Sequence, residues 1–211
     1  MATSLTRLDE DLLEAPVAGS GLHEDEAGRT TLRAQLDGER PTLLLFLRHL
    51  GCVFCRQMVK DVRIASDEAD AGQAEKRFPR VVFVHSAGAE QGARFFGRYW
   101  PGAPAISDRE KRLYTAFGLE RGSLVQLVGP AVIGRGARAM LRGHGIGRPA
   151  GDPLLMPGLF LIAPDGRILA RHTFRHIGDH PDFARFADVR SWSPPPNAAK
   201  PPATAPVAGA A

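Results

Sequence analysis

Cysteine is scarce in this chain of 211 residues, which contains only two. The disulfide frameworks that stabilise small secreted domains need several pairs, so this fold depends on its apolar core instead. A structural zinc site made of four cysteines is excluded for the same reason. Scarce cysteine is typical of a reducing compartment, and we expect a cytoplasmic protein.

Long apolar runs are also missing. No apolar run exceeds five residues, the length of Leu43–Leu47, which is far shorter than the roughly 20 residues that a membrane-spanning helix needs. The N-terminal segment Met1–Glu10 lacks the apolar core of a secretory signal. The sequence therefore predicts no membrane span.

Charge of one sign is clustered in only one stretch, although the net charge is +4. The stretch Arg121–Arg148 carries five arginines and no acidic residue. It also has no aromatic side chain on which a nucleic-acid base could stack. We therefore expect no nucleic-acid partner.

From Gly21 onward, strand-like runs alternate with segments of helical spacing, which indicates α/β layers around a central sheet. The pair Asp165-Gly166 predicts a hairpin between the last two strands. A capping box of Ser107 and Glu110 predicts the start of a helix. The predicted strands are 30–33, 43–47, 81–84, 105–106, 158–162 and 167–171. The other predicted helices are 54–65, 89–99, 136–142 and 183–186.

Composition divides the chain into three parts. Residues 1–20 predict a short N-terminal arm with some helical character, and residues 21–190 predict one α/β domain. Residues 191–211 include six prolines and seven alanines. We predict that this tail is disordered, because it cannot bury enough apolar surface to offset the entropy of ordering.

The two cysteines, Cys52 and Cys55, lie between the buried strand 43–47 and the following helix. This arrangement puts the first sulfur at a helix N-terminus, where unpaired backbone N–H groups and the helix dipole favour the thiolate. The second sulfur is one turn away, within reach of a disulfide. We predict that Cys52 is a nucleophile and that Cys55 resolves its adduct. The alternative is a pair of inert core cysteines.

A metal site is the competing use of such a pair. His172, His176 and His180 are spaced by four and would have to complete it. Gly178 and Pro181 interrupt any helix there, so we expect surface or packing histidines and no metal.

Three further side chains flank the dithiol. His49 is a candidate for stabilising the Cys52 thiolate or passing a proton, although an offset of three in a strand puts the two on opposite faces. Arg48 and Arg56 are candidates for lowering the thiol pKa, but arginines beside a strand end are usually solvated.

The glycine-rich stretch 134–139 fits Gly-x-Gly-x-x-Ala only formally. Pro130 shortens the strand before it, and no strand with an acidic ribose partner follows, so no dinucleotide cofactor is expected. We interpret residues 119–153 as a basic loop near the dithiol. Its residues Arg135, Arg138 and Arg142 form a hypothetical lid that favours anionic substrates.

With these motifs in place, the chain resembles the thioredoxin fold, a central mixed β-sheet flanked by helices. Within that superfamily it is most similar to the peroxiredoxin-like proteins of the alkyl-hydroperoxide-reductase/thiol-specific-antioxidant group, in the branch with Cys-x-x-Cys. The resemblance covers about residues 21–189. It is carried by Gly28–Leu32 leading through Gly38 to Leu43–Leu47, by Leu113–Leu119, and by Gly158–Gly166.

The chain also departs from that family. Peroxiredoxins carry Pro-x-x-x-Thr/Ser-x-x-Cys before the reactive cysteine, and here those two places hold Leu45 and His49. They carry an arginine before the Gly-aliphatic-Phe strand, where this chain has Pro157. The thioredoxin-type resemblance implies instead that Pro157 is a cis-proline facing the dithiol.

The resemblance implies a thiol-dependent enzyme that reduces disulfides or peroxides through Cys52 and Cys55, with His49 and Pro157 in the site. A thioredoxin-type or small-thiol reductant would restore the dithiol, and no cofactor is expected. The balance of features favours disulfide exchange. The alternatives are a true peroxidase acting through a Cys52 sulfenic acid, and a redox-sensing or binding module without turnover.

Overall fold

A computed structural model describes residues 5–71, 78–123, 126, 127, 129, 132, 134, 149–172, 174–179 and 181–186. The predicted helix 136–142, the three arginines of the proposed lid, His180 and the tail 191–211 lie outside these residues. No helix in the described part of the chain has the length and apolar character needed to cross a membrane.

Six strands form one mixed sheet in the described residues, in the order β1-β4-β3-β2-β5-β6. Strands β2, β3 and β4 run parallel to one another, whereas β5, β6 and β1 are each antiparallel to the strand beside them. The α/β class with a central mixed sheet is therefore confirmed. The strands are β1 (Gly19–Ser20), β2 (Thr42–Phe46), β3 (Arg80–His85), β4 (Ala105–Ser107), β5 (Gly158–Ile162) and β6 (Ile168–His172).

Helices cover both faces of this sheet, because β2 is apolar on both sides. Leu43 and Leu45 of β2 point into one core, and Leu44 and Phe46 point into the other. The first core includes side chains of α3 (Val53–Ala71), α4 (Ala89–Tyr99) and a 3-10 turn (Phe183–Phe186). The second core includes side chains of α1 (Glu10–Leu13), α2 (Leu32–Gln35) and α5 (Arg112–Ala116).

Strong hydrophobic periodicity located the central elements well. The helix predicted at 89–99 is α4 with the same bounds, and the strands predicted at 43–47, 81–84 and 158–162 correspond to β2, β3 and β5. The predicted hairpin is formed by β5 and β6. The closing helix predicted at 183–186 is a single 3-10 turn.

Two local predictions are wrong. Residues 30–33 do not form a strand, because the Thr31 side chain caps α2 by accepting a hydrogen bond from the Ala34 N–H at 3.2 Å. The capping box of Ser107 and Glu110 does not form either, since Ser107 belongs to β4. Asp108 begins the turn instead, accepting hydrogen bonds from the first N–H groups of α5, those of Arg112, Leu113 and Tyr114.

The described part of the N-terminal arm packs on the rest of the chain. Leu8 and Leu13 are buried in the second core, and β1 extends the sheet beside β4. The apolar side chains of this arm pack on the face of the sheet opposite α3.

Candidate active site

Cys52 lies between β2 and α3, immediately before the first residue of the helix. Its carbonyl accepts a hydrogen bond from the Arg56 N–H at 3.1 Å, and its own N–H donates to the His49 carbonyl at 3.0 Å. Cys55 follows in the first turn of α3. Both cysteines are free thiols, with only 5% and 2% of their surface exposed. The chain thus presents a nearly buried dithiol at a helix N-terminus.

The two thiols differ in acidity. The hydrogen bond from the Cys55 thiol, the Arg48 charge and the backbone N–H groups of Phe54 and Cys55 lower the pKa of Cys52 to about 6, against the opposing effect of burial. That hydrogen bond and burial raise the pKa of Cys55 well above its usual value. At neutral pH Cys52 is therefore the thiolate and Cys55 the protonated thiol.

Arg48 is buried beside the dithiol, with 6% of its surface exposed. Its guanidinium donates one hydrogen bond to the Cys52 Sγ at 3.4 Å, another to the Leu155 carbonyl at 3.0 Å and a third to the Pro153 carbonyl. The expectation of a solvated arginine is therefore wrong for Arg48. The segment around Leu155 covers it, and the sequence gives no sign that these two distant segments meet.

No carboxylate pairs with the Arg48 guanidinium among the described residues. The acidic side chain on the adjacent segment, Asp152, binds Lys111 and Arg121 instead, at 3.0 Å each. A buried cation without an anionic partner is costly. The Cys52 thiolate supplies the negative charge that Arg48 otherwise lacks.

Residues 150–156, which we call the cover segment, lie across the end of β2. The Leu50 N–H donates to the Ala150 carbonyl at 2.9 Å, and the Asp152 N–H donates to the Ser86 Oγ at 2.8 Å. Ser86 in turn donates to the Arg48 carbonyl at 3.3 Å. The cover segment is thus attached to the turns after both β2 and β3, and it holds Arg48 against the sulfur.

His49 is buried and neutral at physiological pH. Burial, with smaller effects from Arg48 and Arg56, lowers its pKa to about 4. Its Nδ1 has no hydrogen-bond partner among the described residues, and no hydrogen bond joins its side chain to Cys52. His49 is therefore unsuited to stabilising the thiolate as a cation, but it keeps a free ring nitrogen for proton transfer.

Pro157 is buried directly before β5. Its neighbour Gly158 pairs with Phe46 at the end of β2, which places the proline at the edge of the sheet where the dithiol lies. The expected cis bond is a wrong prediction, because the described residues contain no cis peptide and Met156–Pro157 is trans. The Met156 N–H donates to the Glu120 carbonyl at 3.1 Å.

Two of the three histidines considered as alternative metal ligands, His172 and His176, belong to the described residues. His172 packs edge-on against Phe174 and has its Nε2 3.7 Å from an Asp179 carboxylate oxygen. No group of three or more histidine, cysteine or acidic side chains in the described residues has a metal-binding arrangement.

Comparison with known proteins agrees with the fold. The sequence model of the AhpC/TSA antioxidant enzyme family matches residues 66–176, a range that begins after the dithiol. A PrxQ mutant from Xylella fastidiosa superposes with a TM-score of 0.57 at 16% identity, over 87% of this chain and 91% of that one. The bacterioferritin comigratory protein of Xanthomonas campestris gives 0.52 at 16% identity, over 82% and 87%.

The curated relatives are more similar in sequence. The prostamide/prostaglandin F synthase of Xenopus tropicalis is 29% identical over 140 residues, which is 64% of this chain and 65% of the relative. That of Salmo salar is 25% identical over 84% of this chain and 86% of the relative. The chain thus spans about two thirds of the length of the first of these relatives. Together with the sheet topology, the family match shows that the chain belongs to the AhpC/TSA antioxidant enzyme family and is a peroxiredoxin-like protein of the thioredoxin superfamily.

Proposed function

We propose that this protein is a thiol-dependent reductase of hydroperoxides, with Cys52 as the nucleophile and Cys55 as the resolving thiol. The hydrogen bond from the buried Arg48 guanidinium to the Cys52 Sγ carries this proposal. This hydrogen bond gives the Cys52 sulfur a charged donor in a nearly buried site. Family membership supports the same class of chemistry.

The reaction has two chemical steps and one recycling step. The Cys52 thiolate attacks one peroxide oxygen, the O–O bond breaks, and the other oxygen leaves as an alkoxide that takes a proton, which yields an alcohol and a Cys52 sulfenic acid. The Cys55 thiol then attacks the sulfenic sulfur, forms the disulfide and releases water. A thioredoxin-type or small-thiol reductant restores the dithiol by exchange.

Arg48 takes the place of groups that this chain lacks. The two family positions that hydrogen-bond the peroxide, a threonine and an arginine, are occupied here by His49 and Pro157. A preorganised donor in a water-poor site stabilises developing negative charge far better than water does. The Arg48 guanidinium reaches the reacting sulfur from the turn after β2, so it would stabilise both the thiolate and the departing oxygen.

His49 is proposed to relay a proton to the leaving oxygen. Its imidazole is neutral and buried, so one ring nitrogen would donate its proton while the other accepts one from water, and the ring would stay uncharged. Pro157 is proposed to shape the same edge of the site by excluding water.

Disulfide reduction is the second candidate activity, because a Cys-x-x-Cys pair at a helix N-terminus also suits thiol–disulfide exchange. Two observations make it the weaker candidate. The trans Met156–Pro157 bond removes the thioredoxin-like feature that favoured it, and the two sulfurs are nearly buried. A cytoplasmic location is proposed with either activity.

The name of the curated relatives, prostamide/prostaglandin F synthase, adds one suggestion about the substrate. On that name we propose that an organic hydroperoxide is a better substrate here than hydrogen peroxide. An apolar wall at the site would favour this, since Val53, Phe54 and Leu50 are buried around the dithiol.

Parallel stopped-flow reactions test these proposals. Reduced protein is mixed with hydrogen peroxide, with an organic hydroperoxide and with a small disulfide, and Cys52→Ser and Cys55→Ser serve as controls. We expect the organic hydroperoxide to react fastest and the Cys52→Ser variant not to react. Faster reaction with the disulfide would favour exchange instead. Rates no higher than those of free cysteine with all three oxidants would contradict both activities. The remaining interpretation would then be a redox-sensing or binding module without turnover.

A further inference from the structure

Two sulfurs that share one proton lie beside the buried Arg48 guanidinium. The Cys55 thiol donates a hydrogen bond to the Cys52 sulfur, so a single proton lies between the two sulfurs. Arg48 donates to the Cys52 Sγ at 3.4 Å, and its other two hydrogen bonds go to backbone carbonyls of the cover segment. The dithiol with one proton carries one negative charge, and Arg48 carries one positive charge. These charges balance.

This charge balance decides which metal ions the dithiol can hold. A monovalent ion that replaces the shared proton leaves the charge around the sulfurs unchanged. A divalent ion would leave one uncompensated positive charge where both sulfurs and Arg48 are more than nine-tenths buried. Buried net charge is costly. Because thiolate sulfur is a soft ligand, the monovalent ion that it favours is Cu(I).

The number of available ligands favours the same ion. Structural zinc takes four protein ligands. The chain has only these two cysteines. Within the described ranges, no group of three or more histidine, cysteine or acidic side chains is arranged to hold a metal. Two sulfurs are enough for Cu(I), which forms stable linear complexes with two thiolates.

We propose that the reduced dithiol is a binding site for one Cu(I) ion, held between the Cys52 and Cys55 sulfurs. In the binding step two Cu–S bonds form, the Cys55 S–H bond breaks, and its proton passes to water. No electron is transferred, so copper and sulfur keep their oxidation states. The site goes beyond the proposed function, because it uses the same sulfurs but needs no hydroperoxide and no oxidation.

The surroundings of the sulfurs suit a bound Cu(I) ion. Leu50, Val53 and Phe54 are buried in the same apolar cluster as the two cysteines, so little water reaches the ion. In such a water-poor site the attraction between Arg48 and the anionic copper–dithiolate group is weakly screened. The bound ion also engages the lone pairs with which Cys52 would attack a hydroperoxide. The copper-bound protein and the active reductase are therefore separate states.

Competition with bicinchoninate, a chelator whose Cu(I) complex is coloured, measures this binding in the absence of oxygen. We expect reduced wild type to remove one Cu(I) per chain. Cys52→Ser and Cys55→Ser should each bind about a hundredfold more weakly, because each loses one thiolate ligand. Protein oxidised to the disulfide with diamide should bind none, since a disulfide offers no thiolate. Binding by the disulfide form, or unchanged affinity in the serine variants, would overturn the site.

The preference for Cu(I) over Zn(II) tests the role of Arg48. The Zn(II) affinity is measured by competition with a zinc chelator, and the ratio of the two affinities is compared between variants. Arg48→Gln removes the positive charge that disfavours a divalent ion, so the ratio should fall by about tenfold. Both metals displace the same thiol protons, so a change in thiol acidity alone does not alter this ratio.

Two further variants make this result specific. Arg48→Lys keeps the charge and should keep the ratio near its wild-type value. Arg121→Gln removes an exposed arginine that contacts the cover segment through Asp152 but does not touch the sulfur, so it should leave the ratio unchanged. Equal falls in Arg48→Gln and Arg121→Gln would overturn the charge argument. If Arg48→Gln does not fold, wild type tests the same argument, because Zn(II) bound as tightly as Cu(I) would contradict it.

A parallel reaction with an organic hydroperoxide separates this site from the proposed function. Reduced protein that consumes hydroperoxide rapidly but removes no Cu(I) would overturn the copper site and leave the proposed function intact. Protein that removes one Cu(I) per chain but reacts with hydroperoxide no faster than free cysteine would support the copper site and contradict the proposed function.

Discussion

At the scale of single residues, the site combines a thiolate, a cation and a neutral imidazole in a small buried volume. Cys52, Arg48 and His49 are all at least nine-tenths buried. Burial strengthens each electrostatic interaction because water screens it less. The acidity of Cys52 is therefore set by a few named groups, and replacing each of them gives a distinct result.

Replacing the hydrogen-bond donors should raise the pKa of Cys52. Cys55→Ala removes the donor with the largest effect, whereas Cys55→Ser keeps a hydroxyl that can donate in its place. We expect the midpoint of thiolate ultraviolet absorbance near pH 6 in wild type, a clear rise in Cys55→Ala and Arg48→Gln, and a smaller rise in Cys55→Ser. Unchanged midpoints in Cys55→Ala and Arg48→Gln would contradict the assignment.

His49 is expected to act on rate and not on thiol acidity. Because its pKa of about 4 leaves it uncharged at neutral pH, His49→Leu should leave the thiolate midpoint nearly unchanged. The same variant should slow hydroperoxide reduction several-fold by removing the proton donor to the leaving oxygen. Single-turnover kinetics at neutral pH, beside the absorbance titration, distinguish the two effects. A shifted midpoint with an unchanged rate would show instead that His49 acts on the acidity of Cys52 and not on the rate.

At the scale of secondary-structure elements, α4 packs against the end of β3 through a close contact. His85 is fully buried, and Gly92 of α4 leaves the space that its ring occupies. A Cβ at position 92 would lie 2.6 Å from the His85 Cε1 and closer still to Nε2. This contact fixes α4 beside the strand whose end carries Ser86, which holds the cover segment.

Gly92→Ala should therefore destabilise the protein by about 1–3 kcal/mol, through overpacking against His85. Gly97→Ala is the matched control on the same helix, because no atom lies within 4 Å of the added Cβ. It should stabilise the protein by about 0.5–1 kcal/mol through helix propensity. Urea unfolding of both variants measures the difference. Equal effects of the same sign would refute the packing argument.

The sequence predicted the elements whose signals are local and strong. The five-residue apolar run of β2 and the amphipathic pattern of α4 were enough to place them. Thr31 and Ser107 were misassigned because their side chains make hydrogen bonds that propensity does not reveal. Arg48 was predicted as a candidate for lowering the thiol pKa, but its burial was not, because that burial depends on Leu155, more than a hundred residues away in the chain.

At the scale of the whole molecule, two buried histidines make stability depend on pH. Burial lowers the pKa of both His49 and His85 to about 4, from 6.5 in an unfolded chain. Between these values the unfolded state binds protons that the folded state does not. The contribution of these two histidines to stability is therefore fully present above about pH 6.5 and declines as the pH falls toward 4.

Replacing His85 should remove part of this dependence. Between pH 6.5 and 4, His85→Leu should lose less of its free energy of unfolding than wild type does, by on the order of 3 kcal/mol. Each pKa unit corresponds to about 1.4 kcal/mol. Urea unfolding at several pH values, with wild type in parallel, measures the slope. An unchanged slope would show that His85 is not responsible for it.

Family membership explains more of the fold than of the site. The family match covers β3 to β6 and begins only after β2 and the dithiol. The proposed chemistry therefore depends on residues outside the matched range, above all on the contact between Arg48 and Cys52. The proposed function requires the hydrogen bond between Arg48 and Cys52.

The rate constant for a single turnover with an organic hydroperoxide tests this central claim most directly. Reduced wild type, Arg48→Gln and Cys52→Ser are mixed with excess hydroperoxide, and quenched samples are analysed for the intramolecular disulfide by mass spectrometry. The account predicts a wild-type rate far above that of free cysteine. It also predicts at least a tenfold loss per thiolate in Arg48→Gln and no disulfide in Cys52→Ser. A wild-type rate equal to that of free cysteine, or an Arg48→Gln rate equal to wild type, would contradict it.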